Sequence, residues 1–359
     1  MIEHNLEFFN TDHLASVQGM NGMRLERFPE LFGRRLGIEK NCNGRFRASR
    51  VHGCEIRFVT DAPCFDMGLS AVESDIDVCV YYGDMVHSHH RLQAGKVTVL
   101  HVEKHAVFQT IDEALLPKGR FSPGVWRIQF GMNGYAFFHY LDTFGHNYRP
   151  PQSEEKPEAV WAAYGSSITC GSVTALYSNC YIEQTARRLG VEVMNKGLSG
   201  SCLCETFTAE YLASLPVSIL SLELGVNMIP FFGEAEFEKR VRSFLGIVTS
   251  SHAKRIYVIG IFPNKGLVTL DRHAPYYTGY RSFQKILDRI MKEMSSADGR
   301  FFYIPGEAVA PDMLCLSTDL LHPSDDGHIL MGDNLAAWIL KQENRNEEKK
   351  NGGTGYGMV

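Results

Sequence analysis

Four short stretches of this chain carry residue types suited to acyl chemistry. Asp319-Leu-Leu-His322-Pro323 sets a carboxylate three residues before an imidazole. Within one turn the two can hydrogen-bond, so that the carboxylate fixes the imidazole tautomer and stabilises the imidazolium formed when the ring takes a proton. Gly165-Ser166-Ser167-Ile168-Thr169 reads as a glycine-led turn into a helix. A serine there sits where exposed N–H groups and the helix dipole favour an alkoxide or an oxyanion. Asn195-Lys-Gly197-Leu-Ser199-Gly200 has glycines that let backbone approach a reacting carbonyl, and Gly225-Val226-Asn227 offers a side-chain amide donor. A serine alone is no nucleophile at neutral pH. Beside a base, an orienting acid and preorganised donors it becomes one.

These stretches lie far apart, so a scaffold must gather them. Apolar runs at Ala159–Tyr164, Ser218–Leu224, Arg255–Phe262 and Phe301–Ile304 read as buried parallel strands. Between them, Phe237, Val241, Phe244, Leu245 and Val248 share one helical face, as do Phe283, Ile286, Leu287, Ile290, Met291 and Met294. Strands alternating with helices imply a parallel α/β sheet, and such sheets place their sites at the carboxyl ends of strands. Ser167, Gly200 and Asn227 each follow a strand-like run.

The preceding half has a different texture. Runs at Glu55–Thr60, Asp75–Tyr82, Lys96–Glu103, Trp126–Phe130 and Tyr135–Phe144, separated by turn residues, predict an antiparallel β-sandwich, with one helix-like stretch at Arg27–Leu36. The expected organisation is a sandwich over residues 1–150, a proline-rich charged linker over 151–157, an α/β domain over 158–341, and an unordered tail over 342–359 that ends in glycine-rich sequence.

Taken in order, the four stretches resemble the conserved blocks of the SGNH hydrolases, the GDSL-like lipases/acylhydrolases, over roughly Ala159 to Leu340. The resemblance implies a flavodoxin-like three-layer α/β/α hydrolase domain. It also implies that Ser167 is the nucleophile, His322 the base, Asp319 its partner, and that Ser167, Gly200 and Asn227 form the oxyanion hole. Two positions depart from the family pattern: Ser166 stands for the aspartate of G-D-S, and Met228 for that of G-x-N-D. A similar G-S-S-I-T form occurs in branches with an added jelly-roll-like sandwich, which resemble carbohydrate esterases and related acyltransferases. The implied activity is cleavage of a small acyl ester, such as an O-acetyl group on a carbohydrate. Acyl transfer by the same triad is one alternative, and a glycan-binding protein with a degenerate hydrolase domain is another.

Plainer uses exist for some of these residues. A serine at a helix start is a common N-cap, His328 suits packing, and Met228-Ile-Pro-Phe-Phe232 serves either an acceptor pocket or a structural loop. His101, Glu103 and His105 share one face of a strand, as metal ligands or a solvent face would, and the solvent face is the expected reading. No nucleotide-binding glycine motif appears, and neither a metal nor a cofactor is expected. A formal net charge of −5 argues against nucleic-acid binding. Nine scattered cysteines fit a reduced compartment, and no apolar run is long enough to span a bilayer. The expectation is a cytoplasmic protein acting on a small-molecule or carbohydrate ester, without nucleic acid or membrane as partner and with self-association left open.

Overall fold

The computed structural model describes residues 1–117 and 119–352. Two antiparallel sheets fill the amino-terminal half. One runs in the order Ile2–Glu3, Leu6–Phe9, Glu55–Thr60, Val125–Phe130, Ile76–Tyr82, Met85–Leu92, with Tyr148–Arg149 also paired to Glu55–Thr60. The other runs His13–Ser16, Met23–Glu26, Tyr135–Asp142, Cys64–Val72, Val97–Glu103. Phe8, Ile56, Phe58, Val80, Trp126 and Ile128 from the first share a core with Leu25, Phe65, Met67, Leu69, Leu100 and Phe138 from the second. Phe65 meets both Phe58 and Trp126 edge-on, so the two sheets form a sandwich. Strand Cys64–Val72 escaped the sequence reading because Asp66, Gly68 and Ser70 break up its apolar look. Phe65, Met67, Leu69 and Ala71 still alternate inward, at the period of two that a sheet requires.

The second half is built on β1 (Val160–Tyr164), β2 (Glu192–Asn195), β3 (Ile219–Glu223), β4 (Arg255–Ile259) and β5 (Phe301–Ile304). All are parallel, in the order β2-β1-β3-β4-β5. This is the doubly wound order whose switch point lies beside β1. The helices are α1 (Tyr181–Leu189), α2 (Thr206–Ser214), α3 (Glu234–Val248), α4 (Pro275–Ala297) and α5 (Asp325–Gly352). Ala162, Tyr164, Leu220, Leu222, Ile256 and Val258 face the layer of α2, α3 and α4. Trp161, Ala163, Val193, Tyr257, Ile259 and Ile304 face that of α1 and α5. Strands buried on both faces need apolar residues at every position, which explains their continuous runs in sequence.

Three features differ from the sequence reading or add to it. The helix found within Arg27–Leu36 spans Glu30–Arg35 and packs away from the sandwich core. Phe28, Phe32 and Leu36 instead join the cluster of α2, where Phe32 meets Phe207 and Tyr211 edge-on. The tail expected to lack order from residue 342 continues α5 to Gly352, as the helix formers Gln, Glu, Arg and Lys there favour; residues 353–359 lie outside the described residues. The cysteines are free thiols, Cys42 exposed, Cys64 half-buried and the others buried. Among the described residues, no helix is long and apolar enough to cross a membrane.

Candidate active site

β1 ends at Tyr164, and the chain turns sharply at Gly165. A Cβ there would lie 2.2 Å from Thr169 Oγ1 and 2.7 Å from Glu223 Oε2, so only glycine fits. Ser166 then caps the short helix Ser167–Cys170, its hydroxyl accepting from the Ile168 N–H at 3.1 Å. The capping role thus falls to Ser166, which stands where the family has an aspartate, another good cap. The neighbouring hydroxyl is left for other work. Ser167 Oγ lies 2.7 Å from His322 Nε2, and His322 Nδ1 lies 2.6 Å from Asp319 Oδ2. The second carboxylate oxygen, Asp319 Oδ1, accepts from the Leu321 and His322 N–H groups and the Ser317 hydroxyl, each at 2.9 Å. Burial opposes charge on Asp319, but the hydrogen bonds from His322, Leu321 and Ser317 outweigh it and hold the carboxyl well below its ordinary range. Ionised Asp319 then fixes Nδ1 as the protonated nitrogen of neutral His322, leaving Nε2 to accept.

The donor-bearing loops gather beside this chain of hydrogen bonds. The Leu198 N–H donates to Gly165 O at 2.8 Å, which seats the Asn195–Gly200 loop against the serine turn. Gly200 has φ +67°, a conformation that glycine adopts freely. Asn227 Oδ1 accepts from the Cys202 N–H at 3.1 Å, so its Nδ2 is the end left to donate. Ser167 is the first residue of its helix, where an N–H has no intrahelical acceptor. A hydroxyl polarised by a neutral imidazole, with unused N–H donors nearby, can attack an acyl carbon and have the resulting oxyanion stabilised.

Residues 158–339 match the model of the GDSL-like lipase/acylhydrolase family. The chain belongs to that family. Solved structures of similar fold cover both halves. A salicylyl-acyltransferase from a tetracycline biosynthetic pathway has a TM-score of 0.75 at 16% identity, over 95% of this chain and 96% of that one. A putative GDSL-like lipase from Bacteroides ovatus has a TM-score of 0.64 at 15% identity, over 94% and 97%. An active-site mutant of a family two carbohydrate esterase from Clostridium thermocellum has a TM-score of 0.61 at 13% identity, over 94% and 98%. At these identities the likeness is one of fold. A search of curated protein sequences gives no match.

Other singled-out residues of this GDSL-like chain take structural places. Buried His328 receives the Tyr181 N–H on Nδ1 at 3.4 Å and reaches Ser172 O with Nε2 at 3.0 Å. Burial pushes its pKa down to about 4, so it stays neutral and joins α5 to α1 and to the loop after Ser167. Met228 and Ile229 are core residues, with Phe231 and Phe232 packed against the same core. His101 bonds to Asp66 and Glu103 on the sandwich surface. Among the described residues, no group of three His, Cys, Asp or Glu side chains is arranged to hold a metal.

Glu223, at the end of β3, was missed by the sequence reading; the available signal was a charged residue inside an apolar strand run. Its Oε2 accepts from the Ser166 N–H at 2.6 Å and the Thr169 hydroxyl at 3.3 Å. Burial pushes the carboxyl up to about 7, only partly offset by Ser166 and Thr169. The folded state therefore favours the neutral form, whereas an unfolded Glu ionises at about 4.3. Stability from this group is complete below that value and is lost as pH rises to about 7 and beyond. Glu223→Gln, which keeps an acceptor for Ser166, should remove the loss. Urea denaturation should show the variant gaining on the wild type by on the order of 3 kcal/mol between pH 4.5 and 8.5. Parallel pH profiles would contradict the assignment.

Proposed function

We propose that this chain is a serine esterase that cleaves a small acyl ester, an O-acetyl group on a carbohydrate being the substrate class, through an acyl-enzyme on Ser167. The observation that carries the reading is the unbroken hydrogen-bond chain from Ser167 through His322 to Asp319. Oγ of Ser167 attacks the acyl carbon as His322 Nε2 takes its proton. Asp319 stabilises the imidazolium, and the oxyanion is held by the Ser167 and Gly200 N–H groups and Asn227 Nδ2. Collapse of the intermediate expels the alcohol, which takes the proton back from His322. Water then repeats the attack on the acyl-enzyme and frees the acid. No cofactor enters any step.

Family membership and the carbohydrate esterases that share both halves of the fold support the small-ester reading. The salicylyl-acyltransferase likeness favours a second one, in which an alcohol rather than water intercepts the acyl-enzyme. Hydrolysis of acetylated xylosides should exceed that of p-nitrophenyl palmitate in kcat/KM. A strong preference for the long chain would overturn the carbohydrate assignment. Ester products formed when sugar or aryl acceptors are added would move the assignment to acyl transfer. Failure of folded protein to label with a fluorophosphonate would instead point to a degenerate hydrolase domain that only binds glycans.

A further inference from the structure

Arg27 is fully buried, yet among the described residues no carboxylate pairs with it. Its guanidinium is satisfied by main-chain carbonyls alone. Nε donates to Arg50 O and Nη2 to Arg47 O at 3.1 Å, both in the amino-terminal half. Nη1 donates to Asn195 O at 2.7 Å and Nη2 to Gly197 O at 3.2 Å, both in the loop that carries Gly200. The loop answers in kind, since Lys196 Nζ donates to Arg27 O at 2.6 Å. A buried cation is tolerated only when its donors are met, so Arg27 fixes where these carbonyls lie. Burial lowers its pKa, a measure of how completely it is removed from water.

Further contacts run along the same loop. Asn41 Nδ2 donates to Gly200 O at 2.8 Å, and Arg47 Nη1 to Ser199 Oγ at 3.1 Å. Gly44 lies so close to Ser201 that a Cβ on it would be 3.0 Å from Ser201 Cβ. Asn10 Nδ2 adds a bond to Asn195 O at 3.3 Å. Side chains from residues 10–47 thus hold the carbonyls of Asn195, Gly197 and Gly200 and the hydroxyl of Ser199. Gly200 at φ +67° has open space on its Cβ side, and its own lack of a side chain leaves its two peptide planes free to rotate. The Asn41 bond fixes the plane that follows Gly200, and the Arg27 bonds fix the backbone upstream at Asn195 and Gly197.

We propose that Arg27 and Asn41 are positioning residues that aim the Gly200 N–H at the oxyanion, so that the amino-terminal half completes the oxyanion hole. The inference rests on the esterase reading given above. Wild-type turnover of p-nitrophenyl acetate comes first, because its absence sinks that reading by itself. With wild-type turnover in hand, Asn41→Ala and Asn41→Asp, neither of which can donate to Gly200 O, should lower kcat about tenfold to a hundredfold. KM should stay within about twofold, as expected for an interaction made only in the transition state. Active sites are counted by fluorophosphonate titration, so that a fall in kcat per titrated site is separated from a fall in folded protein. Combined with Asn227→Ala, the losses should be less than multiplicative, since both act on one oxyanion. Arg27→Lys should fall in the same way where it folds. An unchanged kcat per titrated site in both Asn41 variants overturns the proposal, as does an effect confined to thermal stability.

Discussion

Ser167→Ala should lower kcat for p-nitrophenyl acetate by on the order of 10⁶-fold, with little change in thermal stability. The size follows from what the hydroxyl does in the proposed reaction: it supplies the attacking atom, and nothing else at the site can replace it. The small stability effect follows from its surroundings. Ser167 Oγ makes its hydrogen bond to His322, whose ring is also held by Asp319 and remains in place without it. The helix cap belongs to Ser166 and is untouched. His322→Ala should fall about as far, and the double variant little further, because a base without a nucleophile has nothing to activate. Asn227→Ala, assayed alongside, should lose only about 10²–10³ in kcat, the usual effect of one oxyanion donor. Full activity in Ser167→Ala would end the assignment.

The parts of this molecule that could be read in sequence are those whose physics is local. β1, β3, β4 and β5 announce themselves because a strand covered on both faces has no room for polar alternation, and α3 and α4 because their apolar stripes recur at the helical period. Each of the first three chemical blocks follows a strand, so sheet order alone brings them to one edge. Asp319 and His322 pair across a single turn, which spacing suffices to suggest. What stayed hidden depends on contacts between distant residues. Arg27 sits inside a helix-like stretch and Glu223 inside an apolar strand run, and neither shows its buried partners until the chain is folded; that Ser166 caps the helix and leaves Ser167 free is likewise visible only in the structure. The packing of Phe28 and Phe32 onto α2 was equally out of reach, because their segment lies between sandwich strands in sequence yet leaves the sandwich in space.

The largest stability effect should come from the junction between the outer face of the seven-stranded sheet and β2. Glu55, on the face of the seven-stranded sheet turned away from the sandwich core, is buried and accepts four hydrogen bonds: from Arg57 Nε at 2.7 Å, Arg127 Nε at 2.9 Å, Arg127 Nη2 at 2.6 Å and Gln129 Nε2 at 2.9 Å. Arg57 goes on to Glu192 of β2 at 3.1 Å and to Glu7 at 3.4 Å. Burial opposes the charge on Glu55, but Arg127 and Arg57 outweigh it and hold the carboxyl far below its ordinary range. Its contribution is therefore present above the ordinary carboxylate value and is lost as pH falls below it. Glu55→Gln removes the carboxylate hydrogen-bonded to Arg127 and one of the three paired with Arg57, and urea denaturation at pH 7 should show a loss of about 3–5 kcal/mol that narrows in acid. A loss under about 1 kcal/mol would mean that Glu7 and Glu192 already balance Arg57, and Asp84, 3.6 Å from Arg127, balances the other arginine. Because Glu192 begins the strand that leads into Asn195 and Gly200, the same substitution also tests how the halves communicate. The Arg27 and Asn41 bonds grip the loop independently of Glu55, so kcat per titrated site should hold steady in Glu55→Gln while stability falls, the reverse of the pattern expected for Asn41→Ala.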